Sequence, residues 1–260
     1  MFDYDYIYVD SLFLTIWIAI MIKCKKWNAL KFGIFTGFIV YFIDSIVWFN
    51  LPAGNNYIVG TFIREYTIGG IYMPRPLGDY FWVKFGADFM MTFSYAMFAF
   101  GWLWIMFENF FKKNLKEILL FTLLYFIFWM LIPLFSLIIP LNDTIVDTVR
   151  YMDTQMIAWS VNLIVGYLFL SLVYGTKKFG SKKPKTILYV FILGCLGAFF
   201  MEFPLLIFSI RPTGALFLLY DVLLMLNQGA PYLYVLYDKI LPWLFAKIKK
   251  RSHKEIEITV

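Results

Sequence analysis

Four carboxylates stand where the chain can least accommodate them. Asp44, Asp88, Glu202 and Asp221 are embedded in stretches built otherwise from Phe, Leu, Ile and Met. Insertion of such a charge at membrane depth costs at least about 2.5 kcal/mol, so each one calls for a cation, a hydrogen-bond network or a chemical task. Carboxyls in apolar surroundings suit general acid–base work, which makes these four the candidate catalytic residues. Asn162, Asn227, Gln228 and the Tyr95 phenol add polar groups to the same segments. With Arg64, Arg75 and Arg211 they form the candidate ligand-binding set. Arginine carries a planar, always-charged fork that grips carboxylate or phosphate with two hydrogen bonds, which lysine cannot copy.

The elements that must hold these residues are membrane helices. The chain has 260 residues, 62% hydrophobic and 15% charged, beyond what a water-soluble domain of this length can bury. Spans are expected over about 6–22, 32–50, 84–107, 118–140, 154–175, 187–210 and 215–237. The fold class is therefore an all-α integral membrane protein, a seven-transmembrane-helix bundle forming one domain over 1–260. Lysines crowd the connections after the first, third and fifth spans and the tail 239–260, leaving Arg64, Arg75, Lys84, Arg150 and Arg211 for the other side. By the positive-inside rule the N-terminus is outside and the C-terminus cytoplasmic, in a multi-pass protein of the cell membrane. The net charge of +6 follows from this bias, and nucleic acid is not expected as a partner.

Local patterns sharpen the placement. In span two Gly37, Tyr41, Asp44 and Trp48 share a helix face, and 33-GIFTG-37 predicts close packing of that face on a neighbour, turning Asp44 into the bundle. The outer connection 51–83, rich in Gly, Pro and aromatic residues, is expected to fold over the bundle mouth as a lid or a sealing cap. Span seven breaks at 227-NQGAP-231, expected to be the floor of an outward-opening polar cavity.

The residue inventory narrows the chemistry. The single histidine, His253, lies in the tail, which excludes His-ligated zinc or haem within the membrane and any Ser-His-Asp or Cys-His system. The acids of 142-NDTIVDTVRYMD-153 are spaced too widely for a metal–diphosphate motif. No metal site is assigned and the cofactor is unknown. Membrane lipids are expected partners, with a small or amphiphilic ligand reaching the cavity from the outer side. The leading expectation is binding, with carboxylate-based processing, of a lipid or isoprenoid-type ligand. A cation- or proton-coupled transporter and a receptor or scaffold with a purely structural polar cluster are the alternatives.

Overall fold

The computed structural model describes residues 2–54, 57–110, 112–177, 183–211 and 214–247. The basic tail is described only as far as Lys247, and Lys178, Lys182 and His253 lie outside the described residues. The chain is mostly helical, with six helices among the described residues long and apolar enough to cross a membrane, as befits a polytopic membrane protein. They are α1 (Tyr4–Lys23), α2 (Trp27–Asn50), α3 (Gly78–Asn109), α4 (Leu115–Ile138), α5 (Met152–Gly175) and α6 (Lys185–Ile207). The region expected as a seventh span is two shorter helices, α7 (Ala215–Leu224) and α8 (Ala230–Val235). Pro231 sits in the first turn of α8, where its missing N–H costs nothing, so it begins a helix.

The helix α3 is the hub: its apolar window is 78% buried, more than that of any other span. It packs on α2, α4 and α6, while α1 packs on α4 and α6 on α7. Gly33 and Gly37 let α2 approach closely, since a side chain at either would press on Met97 or Phe93 of α3. Facing positions on α2 recur every fourth residue, at Phe32, Thr36, Val40, Asp44 and Trp48. In a regular α-helix that spacing drifts by about 40° per step. A π-helical turn at Phe42–Val47 takes up an extra residue and returns Asp44 and Trp48 toward the line. A second π-helical turn, Met90–Ser94, follows Asp88 on α3.

One end of the bundle carries a four-stranded antiparallel sheet that the all-α expectation lacked. Its strands are β1 (Phe2–Asp3), β2 (Arg64–Ile68), β3 (Ile71–Tyr72) and β4 (Ile145–Arg150), in the order β1-β4-β2-β3. The two long connections are thus the two halves of one cap. Gly69 and Gly70 turn β2 into β3 with φ of 56° and 79°, the left-handed conformations that a two-residue hairpin turn needs. In β2 the burial alternates: Arg64, Tyr66 and Ile68 are buried, and Glu65 and Thr67 less so. Their cross-strand partners on β4 are Arg150, Thr148 and Val146. The bundle-facing side of the sheet thus runs from an apolar pair, Ile68 with Val146, to a pair of guanidinium groups.

Candidate anion-binding cavity

Beneath the sheet lies a cavity of about 410 Å³, bounded by α2, α3, α5 and the α7–α8 break. Its sheet end holds Arg64, Tyr66, Thr148, Arg150 and Arg211, together with Asp44 and Asp88. Its walls are then apolar, from Ile43, Ile39, Phe35 and Phe32 on α2 to Phe100 on α3 and Leu233 and Leu236 opposite. The α2 wall is one-sided: Phe35, Ile39 and Ile43 line the cavity while remaining 55%, 42% and 38% exposed. Asn162 on the α5 side is exposed as well. The cavity is therefore a slot open between α2 and α5, with a cationic head and an apolar body.

Of the residues that the sequence marked, Asp44, Asp88, Arg64, Arg211, Tyr95, Asn162 and Gln228 line this cavity. Arg64 Nη2 lies 3.1 Å from Asp44 Oδ2. Burial opposes the Arg64 charge, but Asp44, Tyr66 and Asp88 outweigh it and hold the guanidinium above its ordinary pKa. Asp88 accepts from Tyr66 Oη (2.8 Å), Lys84 Nζ (2.8 Å) and Thr92 Oγ1 (3.1 Å). Lys84 also donates to the Ser45 carbonyl of α2. These contacts tie α2, α3 and β2 into one buried network.

Glu202 and Asp221 stand behind the wall. Arg211 Nη1 donates to both Glu202 oxygens, at 2.6 and 2.7 Å, and the Tyr95 hydroxyl adds a third bond at 2.9 Å. Burial again opposes the Arg211 charge, and Glu202, Tyr95 and Asp221 more than compensate. Asp221 is 3% exposed on α7, in the field of Glu202, Arg211 and Arg150.

Two marked residues lie elsewhere. Arg75 stacks between the Phe49 and Phe62 rings, 3.9 Å from each centroid, and donates to Phe49 O (2.7 Å), Tyr72 Oη (2.7 Å) and Arg64 O (2.8 Å). It clamps the β2–β3 hairpin to the end of α2 and is absent from the cavity lining. We expect Arg75→Lys, which keeps the charge but loses the fork and the stacking, to cost about 1–3 kcal/mol of stability. Thermal unfolding in detergent would read this.

Asn227 is fully buried against α5 and α6, accepting from Tyr167 Oη (2.6 Å) and donating to Cys195 Sγ (3.2 Å) and Leu223 O (3.1 Å). Its amide fills the space beside Gly194, where a built Cβ would lie 2.0 Å from Asn227 Oδ1. The floor at the break is instead Gln228 and Gly229. Asn162 Nδ2 donates to the Gln228 carbonyl at 3.3 Å, supplying a partner that the interrupted helix cannot.

Arg150 was noted in the sequence as an outer cation without being assigned to the site. Among the described residues its side chain makes no hydrogen bond or ion pair, although it sits opposite Arg64 in the sheet and lines the cavity. Burial, with repulsion from Arg211 and Arg64, pushes its pKa down to about 10, still charged at neutral pH. Elsewhere in the same lining three buried groups lack partners among the described residues: Arg64 Nε, Trp48 Nε1 and the Thr148 hydroxyl. Such orphans are rare in folded proteins, and each calls for an explanation. Among the described residues no cluster of three or more His, Cys, Asp or Glu could hold a metal ion. No family model, curated protein or solved structure matches the chain, so what the cavity takes has to be read from these groups themselves.

Proposed function

We propose that the cavity binds an amphiphile with an anionic head, which reaches it sideways from the bilayer through the slot between α2 and α5. The observation that carries this reading is the unpartnered Arg150 side chain at the sheet end of an otherwise apolar, laterally open cavity. The orphaned groups of the same lining include the donor-only Nε–H of Arg64 and Nε1–H of Trp48, so the missing partner is rich in acceptors. The apolar walls below suit a hydrocarbon chain, and the exposed side chains of the slot are at home against lipid. The sheet end faces outward in this reading, because the lysine-rich connections lie at the opposite end. The α7–α8 pair completes a seventh crossing.

The carboxylates support binding more than proton chemistry. Asp44, Asp88 and Glu202 each make an ion pair with a cation, whereas Arg150 makes none, and Asp221 lies only in its longer-range field. A cation pathway would place the imbalance the other way. The test is mass spectrometry of lipid retained through purification. We expect an anionic amphiphile with the wild type and its loss in Arg150→Gln. Retention unaffected by that change would overturn the reading. So would cation or proton flux in reconstituted vesicles that is abolished by Asp44→Asn or Glu202→Gln, which would favour a transporter.

A further inference from the structure

The guanidinium pair Arg150 and Arg211 is a wall of two cavities. On its far side lies a second one of about 230 Å³. Five residues line both: Met91, Tyr95, Thr148, Arg150 and Arg211. The rest of the second lining is almost wholly apolar, comprising Phe2, Tyr6, Met152, Leu205, Ile210 and Phe217. A group held by Arg150 and Arg211 therefore has an apolar chamber on each side, a large one open toward the bilayer and a small one beneath β1 and the start of α7.

We infer that the ligand is a phosphodiester-type amphiphile: a monoanionic tetrahedral centre with a long apolar arm in the large cavity and a compact, ring-sized apolar arm in the small one. The inference rests on the amphiphile reading and adds the second arm. A carboxylate bears one organic substituent and would leave one chamber unused. A phosphate monoester also has one arm, and at neutral pH carries more than one charge. A diester keeps a single negative charge, suited to the one guanidinium here that makes no ion pair, and its two ester oxygens point substituents in different directions. Thr148 also lines both cavities, and its hydroxyl has no partner among the described residues.

The test uses two synthetic diesters of equal charge, hexadecyl methyl phosphate and hexadecyl phenyl phosphate, competing for the protein in nanodiscs. With the wild type the phenyl diester should bind about tenfold tighter, because only its ring fills the small chamber. Met152→Trp, which occupies that chamber, should weaken the phenyl diester far more than the methyl diester and so remove the phenyl advantage. Phe217→Ala, which removes a wall of the same chamber without filling it, should also cut the phenyl advantage. Equal affinity of the two diesters for the wild type would overturn the second arm while leaving the amphiphile reading intact. The same holds if both variants weaken both diesters alike. Binding of neither diester to the wild type would sink the two readings together.

Discussion

Arg150→Gln will stabilise the ligand-free protein while abolishing retention of the anionic amphiphile. Both effects have one cause. Arg150 is paired across the sheet with Arg64, and like charges directly opposite one another are destabilising. Burial and the fields of Arg211 and Arg64 hold its pKa near 10, well below the ordinary guanidinium value. A cation whose pKa is depressed by folding weakens the fold throughout the pH range in which it is charged in both states. That penalty is complete at neutral pH and fades as pH rises through the folded value toward the unfolded one. Removing the charge should therefore add about 1–3 kcal/mol of stability at pH 7. The same change should cost the ligand roughly 2–5 kcal/mol, since the headgroup loses the one guanidinium in the cavity that makes no ion pair. Thermal unfolding and lipid retention, measured on one preparation, would read both. Lower stability together with unchanged retention would show that Arg150 is structural. Arg150→Lys separates charge from shape: it should keep part of the affinity without the two-bond geometry.

The membrane helices are legible in the sequence because apolar length is a strong signal, and α1 to α6 lie close to the expected segments. The sheet was equally written there and harder to see. Gly69-Gly70 between 64-REYTI-68 and 71-IY-72 is a hairpin signature, and 145-IVDTVR-150 is rich in the β-branched residues that favour strands. Both were masked by the aromatic and Gly/Pro-rich surroundings, which read as a connection over a membrane mouth. The concentration of arginine at that end could also be read. Which arginine is left for a ligand could not, because it depends on three-dimensional pairing. Asp44 meets Arg64 only through the fold of the cap, Glu202 takes Arg211 across the α6–α7 connection, and Arg75 turns to two aromatic rings. Sheet register then sets Arg150 beside Arg64 with no carboxylate of its own. Asn227 shows the opposite case: its position in a helix break suggested a cavity floor, but the absence of a side chain at Gly194 draws its amide into the α5–α6 interface.

Asp88→Asn will cost the fold about 3 kcal/mol or more, and adding Lys84→Met will recover most of it. The side chains of Lys84 and Asp88 are 4% and 2% exposed, so neither charge reaches water. The amide in Asp88→Asn can still accept from Tyr66 and Thr92, so those two bonds survive the change. What is lost is the negative charge facing the Lys84 ammonium, which would keep only the Ser45 carbonyl and the Phe49 and Tyr66 ring faces. An ammonium buried without its anion is expensive, whereas a methionine of similar length in the same slot is not. The double variant should therefore fall within about 1 kcal/mol of the wild type, and the cycle isolates the charge pairing from the hydrogen bonds. Lipid retention supplies the independent readout. The double variant leaves Arg150, Arg211 and Thr148 untouched, so it should still hold the amphiphile. If instead it is stable but retains none, the Lys84–Asp88 pair belongs to the ligand site itself, and the headgroup sits deeper against α3 than the Arg150–Arg211 wall implies.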